Sequence, residues 1–309
     1  MKKIIITEFM DEAAVRQLEQ GFQVIYDKTL VERPDELLAL VPDCDALIVR
    51  NKTQVRGALL DAAQRMRAVG RLGVGLDNID VAGCRSRDIA VIPATGANSV
   101  SVAEYVMAGL LMLARGCYHR SAEVAAGAWP RGSMQGGEIY QKTLGLMGFG
   151  GIARDVARRA RAFGMKVIAH DPFIADDAAV WDEQGVTPVS FEDMLARADA
   201  ISLHVPLTDG TRNLFDAERI AAMKDGAFLI NSSRGGIVDE AALGSALRSG
   251  KLGGAMIDVF SKEPLPAGSP LDGAPNCYLT PHIAGVTRES NTRVSFLIAD
   301  RVAEALNNN

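Results

Sequence analysis

Short apolar runs at 3–8, 22–26, 46–49 and 90–92 alternate with stretches near 11–19, 34–41, 57–65 and 79–86, in which apolar residues recur at helical spacing. A brief continuous apolar run suits a strand buried on both faces, and a ~3.6-residue recurrence suits a helix with one covered stripe. Strands alternating with helices predict a parallel sheet. From Ser99 to about Ala126 a longer pattern, rich in small residues, predicts a single helix crossing from one domain to another. Within it, 106–114 is apolar, but Glu104 and Arg115 close that run well short of a membrane span. A second series starts at Lys142, with strands expected up to Met147 and at 165–169, 200–203, 227–230, 254–258 and 277–279. A last helix over about 287–306 has only the first domain left to pack on. The expected fold is therefore α/β, with two doubly wound parallel-sheet domains. A flavodoxin-like domain would be formed by 1–97 plus 286–309, a Rossmann domain at 98–285 would be inserted into it, and a cleft would lie between them.

The stretch Thr143 to Ala153 carries the most specific pattern, an apolar strand running into Gly148-Phe149-Gly150-Gly151-Ile152-Ala153. Gly148 permits the tight reversal. Gly150 lacks a side chain, so a pyrophosphate can approach the helix N-terminus, where free N–H groups and the positive dipole end attract it. Ala153 stands where a third glycine is usual and is small enough for close helix–strand packing. Ile152, Val156, Ala160 and Phe163 predict the buried stripe of the following helix. Asp171 ends the next strand, about 20 residues beyond the turn, where a carboxylate accepts from ribose hydroxyls and repels a 2′-phosphate. No cation follows in Pro172-Phe173-Ile174. The expected cofactor is NAD rather than NADP.

Composition narrows the class without naming it. The 309 residues suffice for two domains, and 48% hydrophobic with 23% charged residues describes a globular chain. The start, Met1-Lys2-Lys3-Ile4-Ile5-Ile6, faintly resembles a signal peptide, but Glu8, Asp11 and Glu12 interrupt it and favour a first strand. Four cysteines, Cys44, Cys84, Cys117 and Cys277, form no C-x-x-C pair, which predicts reduced thiols and a cytoplasmic location. A net charge of −5 argues against a nucleic-acid surface, and no His/Cys cluster has metal-ligand spacing. Hydrolase readings fail, because there is no Gly-x-Ser-x-Gly and Gly244 to Lys251 misses P-loop spacing.

Of the four histidines, His119 and His170 read as structural or surface residues, and His204, at a strand end before Val205-Pro206, lines the expected cofactor crevice. His282 follows a strand and Pro281, at the carboxyl edge where open α/β sheets bind ligands. A histidine there can exchange a proton near neutral pH, as alcohol oxidation requires. Arg234 lies just past the 227–230 strand in Asn231-Ser232-Ser233-Arg234-Gly235-Gly236, where a guanidinium can hold a carboxylate by paired hydrogen bonds. Past the next strand, Glu263 can orient a histidine, and Asp258 can accept from a nicotinamide carboxamide.

These segments, together with Gly73-Val74-Gly75-Leu76-Asp77-Asn78-Ile79-Asp80 and Asn98 to Glu104, fall in one order along nearly the whole chain. In that order the chain resembles the D-isomer-specific 2-hydroxyacid dehydrogenases, and most of all their 3-phosphoglycerate dehydrogenase branch. The resemblance implies His282 as acid/base, Glu263 as its partner and Arg234 as the substrate-carboxylate anchor, with the N–H groups around Gly73, Val74 and Gly75 cradling the same carboxylate. It implies NAD contacts from Gly151, Ile152, Asp171, Val205, Pro206, Ser232, Ser233, Asp258 and Gly285, beside Gly148 and Gly150 of the turn. It also implies a distal-anion site with Arg50, Arg131 and Asn98, Arg131 coming from a neighbouring subunit of a homodimer. That branch's C-terminal regulatory extension is absent, so serine-type feedback through it is not expected. His282-Ile283-Ala284-Gly285 departs from the His-x-Gly-Ala order common in that branch, which leaves the substrate open. The first expectation is 3-phosphoglycerate, with 3-sulfolactate and hydroxypyruvate or glyoxylate as alternatives. From another class, an NAD-sensing corepressor-like binding protein is the rival. A formate dehydrogenase is disfavoured because that branch resembles a Gln-paired histidine. The expected partners are a small 2-hydroxy or 2-keto acid, with neither nucleic acid nor membrane.

Overall fold

A computed structural model describes residues 1–308; the placement of Asn309 and the side chain of His119 lie outside the described residues. The chain divides into two compact units, Met1–Asn98 with Val286–Asn309, and Ser99–Gly285.

The first unit holds five parallel strands, β1 (Lys3–Ile6), β2 (Gln23–Tyr26), β3 (Ala46–Val49), β4 (Ala68–Arg71) and β5 (Ala90–Pro93), in the order β2-β1-β3-β4-β5. This is the flavodoxin-like doubly wound order. Both faces are covered: Ile4 and Ile6 point into one core cluster and Ile5 into the other, each fully buried. Burial on both faces explains why β1 reads as an unbroken apolar run.

The strand β4 is absent from the sequence pattern, and the packing shows why. The helix Arg288–Asn307 lies against this sheet with Val294, Ile298, Ala299, Val302 and Leu306 buried. A Cβ on Gly70 would come within 2.7 Å of Ile298 and 2.8 Å of Val302. The helix therefore demands a glycine in mid-strand, which weakens the local strand signal. That helix opens with a capping box between Thr287 and Ser290.

In the second unit seven parallel strands stand in the order β12-β11-β10-β9-β6-β7-β8. They are β6 (Thr143–Met147), β7 (Lys166–His170), β8 (Thr187–Pro188), β9 (Ala200–Leu203), β10 (Ala227–Asn231), β11 (Leu252–Ile257) and β12 (Cys277–Leu279). The strand order reverses between β6 and β9, which places the topological switch point at the end of β6.

Two sequence expectations are corrected here. The single helix expected to reach Ala126 ends at Arg115, and a separate helix covers only Ser121–Ala125. Gly116 takes φ +58°, the left-handed conformation that stops a helix, and the later piece buries none of its residues. In the helix Gly151–Ala162 the buried stripe is Ala153, Val156, Ala157 and Ala160, whereas Phe163 lies past the end and is 48% exposed. All four cysteines are free. Among the described residues no helix is long and apolar enough to cross a membrane, and no group of His, Cys, Asp and Glu could hold a metal ion.

Candidate active site

At the switch point β6 ends in Met147 and the chain turns through Gly148 at φ +85°. A side chain there would strike the carbonyl oxygen of His204 at 2.7 Å and Val205 at 2.8 Å, so both the conformation and the space require glycine. Gly150 caps the helix Gly151–Ala162 without any side-chain hydrogen bond, and a Cβ on Gly150 or Gly151 would meet only open space. Open N–H donors at a helix N-terminus, with no side chain in front of them, fit a pyrophosphate.

Asp171 follows β7, at the position expected to meet a ribose, and has a task that the sequence does not announce. Its Oδ2 accepts from Phe149 N–H at 2.8 Å and its Oδ1 from Phe173 N–H at 3.0 Å, so the carboxylate pins the glycine turn. Phe149 is fully buried and stacks on Trp181 with ring centroids 4.6 Å apart, which fixes the turn from beneath. Val205 and Pro206 follow β9. Burial pushes the imidazole of His204 down to about 4, so it is neutral at physiological pH, and its Nε2 is buried without a partner.

At the end of β10, Asn231 is buried and shapes the next loop. Its Oδ1 accepts from Ser233 N–H (3.1 Å) and Ser233 O–H (2.8 Å), and its Nδ2 donates to the carbonyl of Arg234 (2.9 Å). The loop that carries Ser232, Ser233 and Arg234 is thus an Asx-type turn, and Asn before Ser-Ser was the available signal for it. Arg234 Nη1 also donates to the carbonyl of Ser233 at 2.5 Å. Gly235 passes so close to Phe260 that any side chain would collide with that residue's carbonyl.

Past β11 and β12 the structure brings Glu263 and His282 together, with Nδ1 of the ring 2.8 Å from Glu263 Oε2. A carboxylate only accepts, so Nδ1 carries the proton and Nε2 is the nitrogen left for proton exchange. Glu263 is itself held, its Oε1 accepting from Phe260 N–H at 3.1 Å. The His282 side chain is 40% exposed, open enough to meet a substrate.

His282 sits at φ +56°, a left-handed conformation costing a non-glycine residue about 1 kcal/mol. Asp258, 1% exposed, stabilises it. Its carbonyl accepts from His282 N–H (2.8 Å), Oδ1 from Ile283 N–H (2.8 Å) and Thr280 O–H (2.6 Å), and Oδ2 from Ala284 N–H (2.7 Å). The residue expected to meet the nicotinamide carboxamide therefore already anchors the His282 loop with both oxygens. Gly285 closes this unit.

In the first unit Glu8 is 5% exposed and gathers the N–H groups of Arg50, Lys52 and Thr53 at 2.9 to 3.1 Å. Burial works to raise its carboxyl, but these backbone donors outweigh it and hold the group below the usual carboxylate range. The loop so tied presents Arg50, whose Nη2 donates to Asn291 Oδ1 at 2.8 Å and whose guanidinium lies 5.8 Å from the centre of the Phe9 ring. Gly73, with Val74 and Gly75 after it, follows β4 at φ +159°, and its carbonyl accepts from Ala94 N–H at 2.9 Å. Asn98 Oδ1 is buried without a partner. In the second unit Arg131 is exposed, two residues past Trp129.

The family profile described as "D-isomer specific 2-hydroxyacid dehydrogenase, NAD binding domain" matches residues 107–284. The chain is 56% identical to an (S)-sulfolactate dehydrogenase of Chromohalobacter salexigens, covering 99% of both chains. It is 39% identical to a D-3-phosphoglycerate dehydrogenase of Methanocaldococcus jannaschii, covering 99% of this chain but 58% of that enzyme. A crystal structure of a Thermus thermophilus protein superposes with a TM-score of 0.90 at 34% identity, covering 99% of this chain and 97% of that one. The chain belongs to the D-isomer specific 2-hydroxyacid dehydrogenase family and is an NAD-dependent enzyme of that class.

Proposed function

We propose that the enzyme acts at C2 of a small 2-hydroxy acid bearing a second anionic group, with 3-sulfolactate the first substrate and 3-phosphoglycerate the second. The Glu263–His282 hydrogen bond of 2.8 Å carries the chemical part of this reading. In oxidation His282 Nε2 takes the hydroxyl proton while Glu263 holds the proton on Nδ1 and orients the ring. Arg234 pairs with the substrate carboxylate, and N–H groups at Gly73 to Gly75 cradle it. NAD, held at the glycine turn, would supply the acceptor for the hydride that leaves C2. The reverse direction returns the same proton and hydride to a 2-keto acid.

The order of substrates departs from the expectation of 3-phosphoglycerate first. The sulfolactate enzyme matches over the full length of both chains at 56% identity, against 39% over 58% of the phosphoglycerate enzyme. The stereochemistry is compatible with both. In 3-phosphoglycerate the carboxyl outranks the tail carbon, whereas in sulfolactate the sulfur-bearing carbon outranks the carboxyl. An (S)-sulfolactate therefore has the same spatial arrangement as a D-3-phosphoglycerate, and one active-site hand serves either. A sulfonate carries one negative charge, and a phosphate monoester carries about −1.5 to −2 at pH 7.

Arg50 supports the second anionic group, because a guanidinium on a loop tied by Glu8 is placed in advance for a tetrahedral anion. A panel of 2-hydroxy acids assayed with NAD tests this. Sulfolactate is expected to have the highest kcat/KM, with lactate and glycerate far behind. Arg50→Ala is expected to raise KM about ten- to a hundred-fold for doubly anionic substrates and to leave lactate unchanged. An equal rise for all would sink the tail assignment.

The proposal includes a homodimer. The exposed Tyr118, Val124 and Trp129, the last 77% exposed, support an apolar contact surface in the segment after Gly116. Sedimentation is expected to give twice the chain mass, and a monomer at micromolar concentration would remove this part.

A further inference from the structure

We infer that Tyr105 is a positioning residue for His282, acting through Thr280 and Asp258. The inference rests on the proposed role of His282 as acid/base. Tyr105 lies on the helix Ser99–Arg115, and its hydroxyl is 2.6 Å from Thr280 Oγ1. Thr280 Oγ1 in turn lies 2.6 Å from Asp258 Oδ1.

The direction of this chain follows from donor supply. Asp258 accepts, so the single hydroxyl proton of Thr280 is committed to it. Tyr105 must then donate to Thr280. Burial pushes the Tyr105 phenol up, so the donor proton is retained at any pH at which the enzyme works. The run Tyr105, Thr280, Asp258 ends at the N–H groups of Ile283 and Ala284 and at the carbonyl that receives His282 N–H.

What needs holding is the left-handed backbone of His282 at φ +56°. Relaxed to an ordinary conformation, the residue would swing its ring away from Glu263. Asp258 prevents this only if its carboxylate keeps facing the N–H donors of Ile283 and Ala284. Thr280 is the sole side-chain donor to Asp258 among the bonds described, and Tyr105 fixes the rotamer of Thr280 from the helix side. Hydrogen-bonded chains of this kind set the geometry of the group at their end, as supporting residues do for metal ligands. A misplacement of one ångström costs about a hundred-fold in rate, so a partial loosening is expected to cost less.

The test uses the enzyme and five variants. Tyr105→Phe is expected to lower kcat about ten-fold with KM for NAD held within about two-fold, since the glycine turn is untouched. Thr280→Val, similar in size but without the hydroxyl, should lose at least as much, and Thr280→Ser should restore most of the wild-type rate. The double variant Tyr105→Phe with Thr280→Val should be no slower than Thr280→Val alone, because both changes break one chain.

Wild-type kcat in Tyr105→Phe overturns the inference, whatever happens to its Tm. So do losses that multiply in the double variant, or a Thr280→Ser enzyme as slow as Thr280→Val. If Thr280→Val does not fold, Tyr105→Phe and Thr280→Ser still decide the matter. His282→Ala, assayed alongside, separates the two levels. If it is inactive while Tyr105→Phe runs at full speed, only the positioning role fails; if His282→Ala is active, the acid/base assignment fails first.

Discussion

Replacing His282 with alanine is expected to lower kcat by about 10²–10⁴-fold while leaving NAD binding and the fold intact, because a positioned general acid/base contributes on that scale. The structure provides the geometry for that size of loss. Nδ1 is committed to Glu263 at 2.8 Å, so Nε2 alone is available for the hydroxyl proton, and alanine leaves only solvent to take it. Stability should change little, since the side chain is 40% exposed and φ +56° costs alanine about what it costs histidine. The check is single-turnover hydride transfer followed by NADH absorbance, with NAD affinity measured separately. A variant with wild-type kcat and a native unfolding transition would show that proton transfer does not pass through His282.

Arg234→Ala is expected to be the second most damaging change, at about 2–4 kcal/mol in kcat/KM, or roughly 30- to 1000-fold. The guanidinium offers a planar fork that matches a carboxylate, and the loop presenting it is set by three hydrogen bonds from the Asn231 side chain. Because those bonds run to the backbone of Ser233 and Arg234 and to the Ser233 hydroxyl, truncation at Arg234 leaves the loop in place. The loss should therefore appear for the hydroxy acid and not for NAD. Arg234→Lys restores charge without the fork, so it should recover only part of the rate. Measured kcat/KM across pyruvate-sized and longer 2-keto acids would decide: equal activity of Arg234→Ala and wild type on all of them would remove the anchor role.

Asp258 and Asn231 do different work from the residues beside them, and the distinction matters for reading variants. A change at either is expected to act by moving a loop. Neither needs to touch the substrate to abolish activity, so loss of function there is no evidence of direct contact.

The chain's periodic apolar runs determined most of the elements by themselves. β9 and β12 coincide with the predicted runs, and the helix Arg288–Asn307 lies one residue from the predicted range. The glycine turn was legible for the same reason, since φ +85° at Gly148 is a local demand that glycine meets best. Glu263 and His282 could be singled out one at a time as residues past strand ends. Their pairing could not be derived from periodicity, because they are 19 positions apart and meet only through the parallel pairing of β11 with β12. β4 was hidden because its glycine answers to Ile298 and Val302, more than 200 residues away along the chain. Tertiary structure likewise decided that Asp171 clamps Phe149, that Asp258 holds the histidine loop, and that Tyr105 reaches Thr280 across 175 positions. Backbone conformation and solvent contrast act between near neighbours and leave a trace in the sequence. Buried polar groups find partners wherever the fold supplies them, and no local pattern records which.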